Sequence, residues 1–300
     1  MFENREPAAF SYPDAVRAMV LKGGPDIEDY AYLDAVLRSV HLERSTPTAV
    51  VQQALQRTLA DVLSADTMQG FALRKPHGYA GDFEMIDRIY NRRVCSDTRY
   101  AKWDLFFHEQ AASKAVCNRK TYFHALLNKL AQGQVPARVL KVGTGPGRSM
   151  FEWMNNNRQS QVSFDCVEID GNAIEYARVL NGEHLARVRF IHRNALRFQS
   201  DTQYELIWSA GLFDYFSDAV FKSLLKRLLK SVKPGGELVI GNFADGNPSQ
   251  GYMELVGDWH LRHRSSAHLI ELARECDVDS SMLRVGKEPV GVNLFLHVSV

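Results

Sequence analysis

Three glycines spaced two residues apart form the segment of this chain with the clearest chemical meaning. Gly143, Gly145 and Gly147 follow a largely apolar run over 139–142, which predicts a buried strand, and a helix is predicted from about Ser149. Glycine at a strand-to-helix turn permits a backbone path that a Cβ would block. It also lets a ligand lie against the main chain, close to the N–H groups of the helix start. The spacing therefore predicts a binding loop for an adenosine-bearing ligand.

An acidic residue follows this loop at the distance expected for a ribose contact. Residues 164–170 predict a second strand that ends in an acid, and Glu168 lies near its end, about 20 residues after the loop. A dinucleotide-binding loop would carry its third glycine at position 148, where this chain has Arg148. The pattern thus favours a nucleoside ligand over a dinucleotide.

A second polar loop, residues 74–82, precedes a predicted amphipathic helix over 83–90. Asp82 is placed to cap that helix by accepting a hydrogen bond from a free N–H group. A cap does not explain the other chemistry-bearing side chains of the loop, which are Lys75, His77 and Tyr79. Because functional loops are typically held by a rigid scaffold, we expect this one to touch the ligand pocket.

Helical patterns fill the chain before residue 135. Apolar residues from Val50 to Leu63 fall on one face at helical spacing, and Thr46-Pro47 has the composition of a helix start. Residues 99–130 predict one or two further amphipathic helices. We predict a helical N-terminal cap region over 1–134, acting either as a substrate-selecting lid or as a packing and dimerisation bundle.

From residue 135 onward strands and helices alternate, which predicts a parallel sheet covered on both faces. After Ser217 a helix is predicted with Leu224, Leu228 and Val232 on one face, ending at the turn over 233–236. The predicted strands are 138–142, 163–168, 188–192, 206–209, 237–242, 281–285 and 293–298.

Composition limits the classes of function. The 300 residues, 45% of them apolar, are enough for one substantial core and a smaller second one. The net charge is +1, and positive and negative residues are mixed along the chain. The sequence therefore does not predict a basic surface for nucleic acid or an anionic membrane. The four cysteines form no Cys-x-x-Cys pair, and no apolar run approaches the ~18 residues of a membrane-spanning helix. We therefore expect a reduced, cytoplasmic protein without membrane insertion or a nucleic-acid partner.

The order of these segments resembles the class I S-adenosylmethionine-dependent methyltransferases over residues 137–300. The resemblance rests on the glycine loop, the acid-ended second strand, Arg193-Asn194-Ala195, the strand beginning at Tyr204 and the segment 232–236. It implies an α/β fold with a doubly wound, seven-stranded Rossmann-like methyltransferase sheet whose last strand is antiparallel. This domain would occupy residues 135–300, after the helical cap region.

Three further segments, 75–82, 210–215 and 241–260, resemble one bacterial subgroup of that family. The subgroup includes the synthases of 3-hydroxy-fatty-acid methyl esters, which serve as quorum signals. This finer resemblance does not specify the methyl acceptor.

The family resemblance implies S-adenosyl-L-methionine as cofactor and assigns roles to particular residues. Glu168 would accept from the ribose hydroxyls, a charge-assisted bond worth about 1.5–3 kcal/mol. Asn194 would accept from the adenine amine, where aspartate is commoner in the family, and the Ala195 N–H would donate to the ring. The rest of the predicted cofactor site is Tyr79, Asp82, Gly143, Thr144, Gly145, Gly147, Ile169 and Ser209.

Lys141 departs from the family pattern. Many relatives carry an acid two residues before the first glycine, where it helps to hold the ammonium group of the cofactor. A lysine would repel that group. Either Lys141 points away from the cofactor or another acid takes over, and Asp82 is the candidate.

The predicted catalytic residues follow from the type of acceptor. A carboxylate is already ionised at neutral pH and needs a cationic anchor, for which Arg264 is the candidate. A hydroxyl or an amine needs a base, for which His260 or His263 is the candidate. Tyr79, Tyr215 and Tyr252 are predicted pocket walls. The structural alternative is that Arg264 pairs with Asp258 or Glu254 and that the histidines only support the fold.

The sequence thus predicts a methyltransferase acting on a small-molecule acceptor, favoured as a carboxylate that becomes a methyl ester. One alternative is N-methylation of an amine or guanidine metabolite. Another is a non-catalytic regulatory protein that binds the cofactor, an alternative that Lys141 keeps open. The Asn-Pro-Pro-aromatic motif of enzymes that methylate nucleobase amines is replaced by 210–213, Ala-Gly-Leu-Phe. We expect no bound metal, and the N-terminal helices are a candidate homodimer surface.

Overall fold

The computed structural model describes residues 12–43 and 48–300. Within these residues the chain divides into two compact units. The helical unit comprises the described residues up to Gly81 together with Arg92–Gln110 and Pro248–His260, and the sheet unit comprises Asp82–Asn91, Ala111–Asn247 and Leu261–Val300. The predicted domain division at residue 134 stays a prediction.

The α-helices of the described residues are short, apart from one long helix in the sheet unit. In chain order they are α1 (Tyr12–Leu21), α2 (Tyr30–Leu42), α3 (Thr48–Thr58), α4 (Ala60–Ser64), α5 (Met68–Arg74), α6 (Phe83–Tyr90), α7 (Ala101–Glu109), α8 (Ala111–Ala131), α9 (Arg148–Asn156), α10 (Gly171–Leu180), α11 (Asp218–Leu229), α12 (Gln250–Leu255) and α13 (Ser266–Arg274).

The helical unit follows the apolar spacing of its sequence with one correction. Helix α3 buries Val51 and Leu55, as predicted, but the Val50 side chain is 54% exposed. The prediction for Val50 was wrong because adjacent helical residues are about 100° apart around the axis, so Val50 cannot share the buried direction of Val51. The predicted helix start at Thr46-Pro47 lies outside the described residues.

The sheet unit contains seven strands in the order β3-β2-β1-β4-β5-β7-β6. Its strands are β1 (Ala137–Val142), β2 (Val162–Glu168), β3 (Val188–His192), β4 (Tyr204–Ala210), β5 (Val232–Phe243), β6 (Leu283–Lys287) and β7 (Asn293–Ser299). Strands β1 to β5 pair in parallel, and β7 runs antiparallel to both β5 and β6. The predicted doubly wound, seven-stranded α/β sheet with one antiparallel strand is confirmed.

Two element boundaries differ from the sequence prediction. Helix α11 ends at Leu229, and Val232 pairs with Tyr204 in the sheet rather than extending the apolar face of the helix. The next pair in register is Glu237 with Leu206, so the residues between Val232 and Glu237 bulge out of the ladder. Strand β6 begins two residues later than predicted, because the side chain of Asp279 caps a short 3-10 turn over Ser280–Met282.

Successive residues of the central strands point into two different cores, as a sheet covered on both faces requires. Val139 packs into a core with α8 and α9, which contribute Phe123 and Trp153. Leu140 packs into a second core with α11 and α13, whose residues include Phe221, Leu224, Leu269 and Leu272. Strand β1 is therefore held from both sides, and this fixes the position of the glycine loop at its end.

Candidate cofactor and acceptor site

The glycine loop connects β1 to α9, and all three of its glycines have positive φ. The angles are +69° at Gly143, +58° at Gly145 and +72° at Gly147. At Gly147 a Cβ would also lie 2.9 Å from the Cβ of Ala177 on α10. It would lie equally close to the side-chain nitrogen of Asn181, the residue that follows α10. At Gly145 a Cβ would meet nothing within 4 Å, so the space beside this residue is open. Backbone conformation and packing thus account for the glycines, and the loop leaves room for a ligand against its main chain.

Glu168 ends β2 and binds the glycine loop directly. Its Oε2 accepts from the Gly145 N–H at 2.9 Å, and its Oε1 accepts from the N–H groups of Ile169 at 2.8 Å and Asp170 at 3.2 Å. An ionised carboxylate has about four lone-pair sites, so acceptor capacity remains after these three bonds. The acid predicted to hold a ribose therefore lies against the predicted nucleoside loop.

Other residues of the predicted cofactor site use their side chains to shape the strand ends. Thr144 Oγ1 donates to the carbonyl groups of Lys141 and Val167, both at 3.4 Å, and Ser209 Oγ donates to the Val142 carbonyl at 3.0 Å. Asn194 Oδ1 accepts from the Leu196 N–H at 2.8 Å and caps the short turn Ala195–Arg197. Ile169, beside Glu168, is 60% exposed.

Lys141 does not point away from the glycine loop. Its side chain is buried, and Nζ donates to the Thr144 carbonyl at 2.5 Å. Burial, aided by nearby Arg119 and opposed by Cys166 and Glu168, lowers the pKa of Lys141 to about 8. The ammonium group is thus turned toward the loop. The two explanations open from the sequence, a lysine that points away from the cofactor and Asp82 as the substitute acid, stay predictions.

Asp82 is the N-cap of α6, as predicted, and accepts from the Met85 N–H at 2.8 Å. The helix that it caps is joined to the start of α9 by an ion pair between Asp87 and Arg148, in which Nη2 lies 2.9 Å from Oδ2. The Tyr176 hydroxyl donates to the same carboxylate at 2.6 Å. Arg148, which excluded a dinucleotide loop by its sequence position, thus ties α6 to the glycine loop. The cofactor role of Asp82 stays a prediction.

Arg119 on α8 is a buried guanidinium that the sequence prediction missed. Its residue is 7% exposed, and its Nε donates to the Tyr90 hydroxyl at 3.5 Å, a weak bond at the limit of hydrogen bonding. Among the described residues, no hydrogen-bond or ion-pair partner meets its two Nη nitrogens. Burial lowers the pKa of Arg119, but Tyr90, Asp214 and Tyr215 together raise it, so the group stays charged.

Gly211 gives the Arg119 guanidinium its space at the end of β4. A Cβ on Gly211 would lie 2.8 Å from Nη1 of Arg119, and the glycine has a φ of +89°. The nearby Asp214 carboxylate accepts instead from the Phe243 N–H at 2.6 Å, and burial raises the pKa of Asp214 to about 6. The charged guanidinium of Arg119, whose Nη groups can still donate hydrogen bonds, therefore lies at the end of β4. The sequence signal was the apolar stripe of α8, in which Arg119 interrupts Ala112, Ala115, Val116, Phe123 and Leu127.

Arg264, the predicted anchor, has its donors occupied by the protein. Nη1 donates to Asn242 Oδ1 at 2.7 Å and to the Phe213 carbonyl at 3.2 Å. Nη2 donates to the Phe216 carbonyl at 2.5 Å and to Asp218 Oδ1 at 2.9 Å, and Nε donates to the same Asp218 oxygen at 3.1 Å. The alternative partners Asp258 and Glu254 were also wrong, because the ion pair is made with Asp218. Arg264 holds β5 to the turn after β4.

The predicted tyrosines and histidines are divided between the two units. In the helical unit, Tyr79 is 40% exposed, whereas Tyr252 is buried against Phe106 and Phe107. In the sheet unit, Tyr215 is 40% exposed and ends the turn Phe213–Tyr215 after β4. His263, also in the sheet unit, has Nε2 at 3.1 Å from the Asn247 side-chain amide.

His260 belongs to a charged cluster of the helical unit. Its Nε2 lies 3.0 Å from Asp258 Oδ1 and its Nδ1 lies 3.6 Å from Glu254 Oε2, while its side chain is 56% exposed. Lys75 Nζ pairs with Asp258 Oδ2 at 2.5 Å, and both Lys75 and Asp258 have positive φ. Burial would raise the pKa of Asp258, but hydrogen bonds from Lys75, Gln52 and His260 lower it overall. Strained residues of this kind often mark functional segments.

The described residues contain neither a metal-binding cluster nor a membrane-spanning helix. Within 12–43 and 48–300, His, Cys, Asp and Glu side chains form no group of three or more that is placed to hold a metal ion. No helix in the same residues has the length and apolar character needed to cross a membrane.

Comparison with known proteins agrees with this geometry. Residues 139–236 match the model of a methyltransferase domain. A malonyl-[acyl-carrier protein] O-methyltransferase of Priestia megaterium is 24% identical over 128 residues, which are 43% of this chain and 45% of that protein. The chain thus spans less than half the length of this curated relative.

Solved structures show the same fold over most of the chain. A protein described as a possible exported protein of Bordetella parapertussis superposes with a TM-score of 0.61 at 15% identity, covering 96% of this chain and 94% of that one. The S-adenosylmethionine-dependent methyltransferase SibL superposes with a TM-score of 0.51 at 16% identity, covering 84% and 74%. The matched domain over residues 139–236, the sheet order and the superposed structures show that the sheet unit has the Rossmann-like methyltransferase fold.

Proposed function

We propose that this chain is an S-adenosylmethionine-dependent methyltransferase that transfers the methyl group to the carboxylate of a small-molecule acceptor and so forms a methyl ester. The observation that carries this proposal is the Arg119 guanidinium, which is 7% exposed and has open donors at the end of β4. A planar guanidinium matches the geometry of a carboxylate and can bind both oxygens at once. We therefore assign to Arg119 the anchoring role that the sequence suggested for Arg264.

The residues of the glycine loop fit the cofactor on two counts. The open space beside Gly145 lets an adenosine approach the main chain, and Glu168 has acceptor capacity left for ribose hydroxyls. In this proposal Asn194 and Ala195 face the adenine, and Ile169 packs against the ring. Gly143, Thr144, Gly147 and Ser209 shape the loop and the strand ends. Tyr79 and Asp82 remain proposed contacts at the methionine end.

The bound cofactor supplies a methyl group on a sulfonium ion, together with its own leaving group. The task of the protein is to align the acceptor and exclude water, which can lower the barrier by about 7–11 kcal/mol. A carboxylate has the required lone pair at neutral pH, so no base has to remove a proton. Arg119 would bind one or both acceptor oxygens and fix the direction from which the carboxylate meets the methyl group.

The malonyl-[acyl-carrier protein] O-methyltransferase supports oxygen as the methyl acceptor. Its match covers less than half of either chain, so it bears on the type of reaction more than on the identity of the substrate. The relation to quorum-signal ester synthases is likewise part of the proposal. A cytoplasmic location, a bacterial source and a homodimer through the N-terminal helices stay predictions.

N-methylation of an amine or guanidine metabolite is the second candidate, and one observation favours it. His260 is held by Asp258 and Glu254 with half of its side chain exposed, as a general base would be. An amine acceptor would need such a base, whereas a carboxylate would not.

The chemical stability of the product separates the two candidates. The enzyme is incubated with S-adenosylmethionine carrying a labelled methyl group and with a metabolite extract, and the labelled product is treated with mild base. We expect the label to be released as methanol, because esters hydrolyse in base. A label that stays on the product would favour methylation of nitrogen and would contradict the carboxylate proposal.

A further inference from the structure

Lys141 is a buried cation on the glycine loop that the protein itself does not neutralise. The residue is 7% exposed, and its Nζ donates to the Thr144 carbonyl at 2.5 Å. Across the described part of the chain, no carboxylate comes within ion-pair distance of this ammonium group. One neutral carbonyl is therefore its protein partner.

Two cations and two carboxylates are the charged groups near this end of the sheet, and neither carboxylate forms an ion pair with Lys141. Arg119 lies close enough to lower the pKa of Lys141, and burial raises the pKa of the Cys166 thiol to about 12, so the thiol is neutral. Glu168 also acts on Lys141, but its oxygens accept from the N–H groups of Gly145, Ile169 and Asp170. Asp214 is likewise bonded to the Phe243 N–H.

A buried charge without a counter-ion is costly, and the cost falls when a ligand supplies the opposite charge. Lys141 stands two residues before Gly143 and is bonded to the loop on which the cofactor is proposed to lie. The amino-acid end of that cofactor carries both an ammonium and a carboxylate group. A lysine repels the first and attracts the second.

We propose that Lys141 binds the α-carboxylate of the cofactor's methionine moiety, so that the cofactor is held by its acid group. The proposal rests on the proposed placement of the cofactor on the glycine loop. It explains why a lysine can stand where an acid would instead bind the ammonium group. The bond to the Thr144 carbonyl aims Nζ along the loop and leaves two of its three protons for the ligand.

Calorimetry with two ligands tests this role. S-adenosylhomocysteine carries the carboxylate, whereas its decarboxylated form, S-adenosyl-3-thiopropylamine, keeps the adenosine, the thioether and the amine. We expect the wild type to prefer S-adenosylhomocysteine by about 10- to 100-fold, as a charge-assisted bond predicts. In Lys141→Met the preference should fall to about 2-fold or less, and Lys141→Arg should keep most of it.

Lys141→Gln provides a second variant that keeps a donor for the Thr144 carbonyl but has no charge. It should lose the preference as Lys141→Met does. A ratio of the two affinities that is unchanged in both variants overturns the proposal, and so does an effect confined to the KM of the acceptor, which would assign Lys141 to the acceptor's carboxylate. If the wild type binds neither ligand, the placement of the cofactor itself fails, which is a different result from a changed ratio.

Discussion

The sheet unit contains two buried arginines whose surroundings differ sharply. Arg264 is 2% exposed and donates to two backbone carbonyls, to Asn242 and to Asp218. Arg119 is 7% exposed, and among the described residues its hydrogen-bond partner is the Tyr90 hydroxyl, 3.5 Å from Nε. The first guanidinium is satisfied by the fold, and the second has donors left for a ligand. Residue type and burial are the same in the two arginines, so our assignment of the binding role to Arg119 rests on its unused hydrogen-bonding capacity.

Replacement of Arg264 by methionine should produce the largest loss of stability. The change leaves Asn242 Oδ1 and the Phe213 carbonyl without their charged donor, at about 1–3 kcal/mol for each buried group. We expect the free energy of unfolding, measured in urea, to fall by about 2–5 kcal/mol. Arg262→Met removes an exposed side chain from the same segment and should change it by less than about 0.5 kcal/mol. Equal effects of the two changes would contradict a structural role for Arg264.

Two acids of β2 show the same contrast between a side chain bonded to other side chains of the fold and a side chain with hydrogen-bonding capacity left for a ligand. Asp165 is 1% exposed and accepts from Arg189 and Tyr204, whereas Glu168 lies at the glycine loop. We expect Glu168→Ala to weaken binding of S-adenosylhomocysteine by about 10- to 100-fold in calorimetry, through loss of the ribose contact. Asp165→Asn should lower the unfolding temperature while the folded variant keeps its affinity. Unchanged affinity in Glu168→Ala would remove the ribose assignment.

Lys141 is a third buried charged group, and it should make the free energy of unfolding depend on pH. We expect this effect to be smaller than the effects of the Arg264 and Glu168 substitutions. Its pKa is about 8 in the folded chain, below the ordinary 10.5, so between these values the unfolded chain binds more protons. The contribution of Lys141 is therefore most unfavourable below pH 8 and becomes more favourable as the pH rises toward 10.5. Arg119, Cys166 and Glu168 are the groups that act on it, and Cys166 stays neutral over this range.

The measurement compares urea unfolding of Lys141→Met and the wild type at about pH 7 and about pH 10. We expect the stability of the variant relative to the wild type to decrease as the pH rises, since the cost that the variant removes is greatest at low pH. A difference that does not depend on pH would show that Lys141 is not a buried charge of lowered pKa.

Much of the fold could be predicted from the sequence because its signals are local. Alternation of apolar residues and the turns between them predicted the seven strands, and the spacing of Gly143, Gly145 and Gly147 predicted the tight turn between β1 and α9. The cap formed by Asp82 was also predictable, since an N-cap depends on residues a single helical turn away. Boundaries were less accurate where a bulge after Val232 extended the ladder.

The charge balance of the site could not be predicted in the same way. Whether Arg264 or Arg119 keeps open donors depends on partners such as Asn242, which lies 22 positions away in the chain from Arg264. The orientation of Lys141 likewise depends on the path of the loop that follows it. A single local signal existed, namely the position of Arg119 within the apolar stripe of α8. A charged residue within the apolar face of a helix is therefore a signal for a ligand-binding site that can be read from the sequence.

Methyl transfer by Arg119→Met tests the central claim most directly. The rate at which base-labile methyl label enters a metabolite extract is compared among the wild type, Arg119→Met and Lys129→Met, the last of which changes an exposed residue of the same helix. We expect Arg119→Met to lower this rate by about 10- to 100-fold, while its unfolding midpoint in urea and the activity of Lys129→Met stay close to the wild type. Full transfer by a folded Arg119→Met variant would contradict the assignment of Arg119 as the carboxylate anchor.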